Sequence, residues 1–210
     1  MATSRPLFDV TDMENPHRRR WMLFVDGENF TMSAQRVVEK AKLILQEGPY
    51  YIRDTFVWFP PLKATTAMRT GAGEFTIPLQ RHATRAHYYT SVQGDEPKAK
   101  KISEALWDVG FAPKVFKKDR TRSRSKGVDI ALTTDMLSHA FRDNYDVAFL
   151  YAGDGDYVPL VEEVKRLGKI VYVSFFGGSG LNDKLRLASD NFFLMDDAFL
   201  EGWRRYLNLS

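Results

Sequence analysis

The sequence predicts an α/β protein built on a mainly parallel sheet with helices over both faces. Two observations carry that expectation. Short, nearly unbroken apolar runs, such as those in "RWMLFVD", "YDVAFLYAG" and "KIVYVSFFG", are the pattern of strands buried on both sides. These runs alternate with segments of helical apolar spacing, and that alternation implies right-handed crossovers within a parallel sheet. A chain of 210 residues accommodates one such domain and is marginal for two.

In chain order, residues 1–18 read as a polar arm and residues 19–210 as the domain. "RWMLFVD" (20–26) predicts the first strand, ending in an acid. Val37, Val38, Ala41 and Leu45 recur at helical spacing, which predicts a helix over 29–48 with Gly48 as its stop. "TFVWF" (55–59) predicts a second strand, closed by Pro60 and Pro61. Residues 62–82, with "RTGAGEF", show no clear period and read as a surface excursion, a possible hairpin. "RAHYYTSV" (85–92) predicts a strand. "EPKAKKISEALWDVGF" (96–111) predicts a helix whose apolar face is Ile102, Ala105, Leu106 and Val109. "PKVFKK" (113–118) fits a strand, followed by the polar, basic "DRTRSRSKG". An amphipathic helix over 128–144 and a central strand over 145–153 come next. "DYVPLVEEVKRLG" (156–168) predicts a helix, with Pro159 tolerated in a first turn that needs no backbone donor. A strand at 169–177, a short helix at 181–190, a last strand at 191–195 and a terminal helix at 196–209 complete the order.

Composition narrows the function classes. With 44% hydrophobic and 27% charged residues the chain is neither disordered nor fibrous. No apolar run approaches a membrane span, and the first twenty residues lack a signal-peptide core. Cysteine is absent, which removes disulfides, thiolate nucleophiles and Cys-based zinc sites and is compatible with a cytoplasmic protein. The net charge of +3 is too small to identify a partner by itself.

Ligands of an open parallel sheet bind beyond the carboxyl ends of its strands, and acids collect near that edge. Asp26 ends the first strand, Asp154 and Asp156 follow "AFLYAG", and Asp129 lies in the first turn of the helix starting at Gly127. Three of them have a structural reading: Asp26 as a turn residue, Asp129 as a helix-dipole complement, Asp156 as a helix cap. Together they point to a shared site, because converging carboxylates become favourable when a hard cation such as Mg²⁺ or Mn²⁺ sits among them. The glycines of "GDGD" are then expected to let the backbone turn tightly. Asn29 in "VDGENF" can orient water, contact a phosphate or cap the following helix. Glu28 can add a ligand or face solvent, and Asp135 reads as solvated or structural. Tyr88, Tyr89, Phe175 and Phe176 can stack on unpaired bases or pack in the core.

"FVDGENF", "KGVDIALTTDML" and "YAGDGDYVPLVEEVKRLGK" together resemble the NYN domain family, in the LabA-like branch of the PIN-like nuclease superfamily. "SGLNDKLRLASDNFFLMDD" looks like that family's C-terminal signature, so the resemblance runs from about residue 20 to about 200. It implies a PIN-like three-layer α/β/α sandwich and metal-dependent hydrolysis of RNA phosphodiesters. By motif match, the family's acidic site falls on Asp26, Asp129, Asp154 and Asp156, with Asn29 and Lys126 beside it. Asp26 and Asp154 are then the first choices for direct metal ligands. Asp129 and Asp156 would hold a second ion or orient its water. Lys126 can contact the scissile phosphate or stand as a solvated lysine. The stretch 114–127 has seven Lys/Arg, among them Arg120, Arg122 and Arg124, against one Asp. It reads as a rail for a phosphate backbone or as a solvated loop.

Two other readings remain. A haloacid-dehalogenase-type phosphatase also ends its first strand in an Asp, but needs a second Asp two residues on, where this chain has Glu28. A catalytically silent RNA-binding module on the same fold is the other.

Overall fold

Side chains of the strand Trp21–Asp26 (β1) alternate between two cores, and the architecture follows from that alternation. Trp21, Leu23 and Val25 pack into one apolar cluster, Met22 and Phe24 into another, and all five are at most 6% exposed. A strand with both faces buried must be apolar at every position, which is why the runs read as unbroken. The structure is a computed structural model and describes residues 20–58, 66–70, 73–77, 83–118, 126–178 and 180–209. The predicted arm at 1–18 lies outside the described residues, as do Arg120, Arg122, Arg124 and the side chain of Lys126.

Helices Gly27–Lys40 (α1) and Glu96–Asp108 (α2) cover the first face. Strand Ala112–Lys117 is β7, and helix Lys126–Phe141 (α3) lies on the second face through Val128, Leu132, Met136 and Ala140. After Val147–Tyr151 (β8), a 3₁₀ turn at Gly155–Tyr157 leads into Val158–Arg166 (α4), also on the second face. Ile170–Phe175 (β9), Asp183–Ala188 (α5), Asn191–Leu194 (β10) and Asp196–Leu209 (α6) finish the chain. Phe199 and Trp203 return α6 to the first face, beside α1. With Ala83–Val92 as β6, the strand order is β10-β9-β8-β1-β6-β7, and every pairing is parallel. The expected α/β/α layering is therefore present, with β1 and β8 at the centre. Among the described residues no helix is long and apolar enough to cross a membrane.

Two expected elements differ. The helix predicted to reach Gly48 ends at Lys40. Leu43 N–H reaches back to Val38 O, Lys42 N–H to Glu39 O, and Lys42 takes φ 55°, a left-handed termination made without glycine. Leu43 and Leu45 then pack against the first core from an irregular segment, so the helical spacing of Leu45 is coincidental. The second departure is "TFVWF". Phe56–Val57 (β3) pairs antiparallel with Tyr51–Ile52 (β2) and lies off the main sheet. Both neighbours of β1 are already β6 and β8, and Asp54 at φ 59° folds the segment into a hairpin. Phe56, Val57 and Trp58 are nonetheless fully buried, which accounts for the apolar run. Within 62–82, the described strands Thr66–Thr70 (β4) and Gly73–Ile77 (β5) pair as an antiparallel hairpin.

At the junction of β1 and α1 the backbone passes so close to β6 that no side chain fits. A Cβ on Gly27 would stand 2.0 Å from the Tyr88 ring and 2.7 Å from the carbonyl oxygen of Tyr89. Tyr88 is fully buried and has no room to retreat. Gly27→Ala is therefore expected to destabilise the protein by roughly 1–3 kcal/mol, measured by denaturant unfolding; an unchanged midpoint would show that this junction relaxes freely.

Candidate active site at the carboxyl edge of the sheet

Asp26 is the last residue of β1 and the N-cap of α1, its Oδ1 accepting the N–H of Asn29 at 3.1 Å. Parallel pairing sets Val25 level with Tyr151, so the chain leaving β8 passes the start of α1. There the Gly153 N–H donates to Asn29 Oδ1 at 3.1 Å. Asn29 thus neither caps the helix nor offers its carbonyl oxygen outward; it ties the two motif loops together. A Cβ on Gly153 would meet the Phe175 ring at 2.4 Å and Gly180 O at 2.7 Å. Positive φ among the described glycines occurs at 94, 110, 168 and 180, not in "GDGD". The turning role expected of Gly153 is corrected accordingly: glycine stands there because neighbouring elements come too close for a side chain.

Asp154 Oδ1 accepts the N–H of Asp156 at 3.1 Å and caps the 3₁₀ turn. This turn presents Tyr157, a residue the sequence reading passes over. Its hydroxyl, on a side chain from a residue only 2% exposed, lies 3.0 Å from Asp26 Oδ2 and 3.1 Å from Asp129 Oδ1. Asp129 comes from the first turn of α3, so one hydroxyl joins acids carried by β1 and α3. A phenol has one proton to give. It donates fully to one carboxylate at a time and can accept from the other when that one is protonated. Burial raises the pKa of Asp26 to about 7; the Asn29 N–H and the Tyr157 hydroxyl pull it down, and the Asp129 charge pushes it up. Burial, then the same two carboxylates, push the Tyr157 pKa upward, so this residue stays a neutral hydroxyl.

Of the four predicted acids, then, the structure joins Asp26 and Asp129. Asp154, expected as a partner of Asp26, turns to the backbone instead. Asp156 is exposed and is not the cap of α4, whose N-cap is Tyr157 with no side-chain bond. Among the described residues no group of three or more His, Asp or Glu side chains could hold a metal ion. A pair of carboxylates does suit Mg²⁺, which keeps several waters and binds proteins through one or two carboxylates. Asp26 and Asp129 fit that requirement as an all-oxygen donor set.

Neighbouring groups take structural roles. Glu28 is neither solvated nor a free ligand: it accepts from Ser91 Oγ at 2.7 Å and pairs with Lys118 at 2.5 Å. Asp135 accepts the Tyr89 hydroxyl at 2.8 Å and pairs with Lys114 at 2.7 Å. Tyr88, Tyr89, Phe175 and Phe176 are all 0% exposed, so none stacks on a base. Tyr157 did leave a trace in the sequence. A tyrosine at the buried start of a helix needs a partner for its hydroxyl, and the surrounding acids supply it.

The family model for the NYN domain matches residues 20–196. Among solved structures, the crystal structure of a protein of unknown function from Vibrio parahaemolyticus is similar, with TM-score 0.55 and 22% identity, covering 87% of this chain and 96% of that one. That similarity shows a shared fold. No curated protein matches the chain.

The raised pKa of Asp26 makes stability depend on pH. Between the unfolded value near 3.8 and the folded value of about 7, the folded state holds the extra proton, so stability falls as pH rises through that window. The rise from 3.8 to about 7 corresponds to at most about 4 kcal/mol. His87, lowered to about 4 by burial and then by the charge of His139, runs the other way and loses stability as pH falls from about 6.5 to 4. Asp26→Asn keeps the cap and removes only the first dependence. The variant is expected to be more stable than wild type at pH 8 in chelator, with the difference vanishing near pH 4. Parallel curves at both pH values would contradict the burial of this carboxylate.

Proposed function

The chain belongs to the NYN domain family, with the PIN-like nuclease fold, and from that premise we propose that it hydrolyses RNA phosphodiester bonds with a divalent metal. The observation that supports this reading best is the convergence of Asp26 and Asp129 on one hydroxyl at the carboxyl edge. In this reading Asp26 and Asp129 hold Mg²⁺ or Mn²⁺, and Asp154 and Asp156, in the turn leading to Tyr157, complete the acidic rim. When bound, such a cation lowers the pKa of a coordinated water and neutralises the nonbridging phosphate oxygens.

The chain's own groups do the positioning. Tyr157 holds the two carboxylates at a fixed separation, and its neutral hydroxyl screens one from the other. Asp154 shapes the turn that carries Tyr157, and Asn29 fixes that turn to α1 through Gly153. Because Asp26 retains a proton up to about pH 7, a cation held there would compete with that proton, so metal affinity and cleavage are expected to rise with pH toward 7. Lys126 and the arginines at 120, 122 and 124 grip the phosphate backbone in this reading.

Cleavage of labelled RNA by purified protein is expected with Mg²⁺ or Mn²⁺ and is expected to stop on chelation. Asp26→Asn and Asp129→Asn should each abolish it while leaving the fold intact. Tyr157→Phe, which keeps the ring and loses the bridge, should lower the rate roughly 10- to 100-fold. Wild-type rates in the Asp129 variant would refute the assignment. RNA bound but never cut would favour the silent RNA-binding module instead.

The basic segment makes a separate prediction. Replacing Arg120, Arg122 and Arg124 by Ala should weaken RNA binding across sequences and flatten the dependence of log K on log salt by about 2. An unchanged slope would return the segment to a solvated loop.

A further inference from the structure

A cavity of about 320 Å³ lies between α1 and α6. Val37, Ala41 and Leu200 give it apolar walls, Gly178 a stretch of bare backbone, and Arg36 and Lys40 two exposed cations. Among the described residues neither cation has an acidic partner, so both are open to an anion entering the cavity. The acid in the lining, Asp196, already accepts the Gly177 N–H at 2.8 Å. Two cations against one engaged carboxylate leave the cavity attractive to an anion. Its apolar walls suit a flat, weakly polar body.

The cavity is also connected to the acid pair. Gly178 belongs to the loop after β9, and four residues on, the Asn182 N–H donates to Gly153 O at 2.8 Å. Gly153 in turn donates to Asn29. A chain of hydrogen bonds therefore runs from the loop lining the cavity to the loop holding Tyr157. Ten to fourteen residues of α1 separate Asp26 from Arg36 and Lys40, about 15–20 Å at the helical rise.

We propose that this cavity binds a nucleoside phosphate, the phosphate on Arg36 and Lys40 and the base against Val37, Ala41 and Leu200. Two sources share that chemistry. One is a nucleotide of the RNA strand engaged at the acid pair, which rests on the ribonuclease reading. The other is a free nucleoside monophosphate, which does not.

The test measures binding in chelator, so that nothing is cut, for wild type and for the Arg36→Ala, Lys40→Ala double variant. The probes are a fluorescent short oligoribonucleotide and adenosine 5′-monophosphate. Both substituted side chains are exposed, and thermal melts check that the variant folds. The expected result is roughly tenfold weaker oligonucleotide binding by the variant, with the salt slope reduced by about 1. Saturable monophosphate binding by the wild type, lost in the variant, would identify the free nucleotide as the ligand. Equal binding of both probes to both proteins, or no binding of either probe to the wild type, overturns the site. Cleavage is scored separately. A protein that never cuts RNA yet loses probe binding in the variant keeps the site and loses the nuclease reading. One that cuts RNA but binds both probes regardless of Arg36 and Lys40 keeps the nuclease and loses the site.

Discussion

Asp26 sits where the central strand stops and α1 begins, only 4% exposed, and a shielded carboxylate is unfavourable unless donors surround it. Two do so, the Asn29 N–H from within its own helix and the Tyr157 hydroxyl from across the sheet. Tyr157 occupies that position because Asp154 caps the turn before it, and Asp129 joins because α3 begins alongside. A single hydroxyl thereby links β1, α1, α3 and the turn after β8. The carboxyl edge is organised around satisfying one buried carboxyl group.

Parallel topology supplies the setting. Every strand of the main sheet ends at the same edge, so the helices that follow also begin there, with their unpaired N–H groups and positive dipole ends directed at it. That is where a cluster of acids is least unfavourable. The cost of crowding is contained further by pairing the nearest extra charge: Glu28, in the first turn of α1, is neutralised by Lys118 and hydrogen-bonded by Ser91. Of the carboxylates acting on Asp26, Asp129 outweighs Glu28, and Tyr157 bridges Asp26 and Asp129.

Cations divide between two uses. Some are committed to structure, as where Arg20 and Lys169 converge on Asp143 and Asp146 to fix the start of β1 to the loop before β8. Others are not: Arg36 and Lys40, near the end of α1, have no acidic partner among the described residues. A cation left without a carboxylate beside a cavity is available to a phosphate at little desolvation cost, which is why the distribution of charge says more than the net value of +3.

Order and type of elements were legible in the sequence, because burial on two faces forces unbroken apolar runs and burial on one face forces helical spacing. So was the edge on which Asp26, Asp129, Asp154 and Asp156 gather, since strand ends and helix starts are local features. The helix end at Lys40 and the antiparallel hairpin of Phe56–Val57 were not, because the first turns on a left-handed Lys42 that no glycine marks and the second on which neighbours the sheet has already accepted. Which acids meet was likewise hidden. Asp154 and Asp156 are a doublet in sequence, yet one turns to the backbone and the other is exposed, while Asp26 and Asp129, a hundred residues apart, share a hydroxyl. Sequence sets which residues arrive at an edge. The direction of each side chain is decided by the hydrogen bonds available after packing, and those exist only in the folded chain.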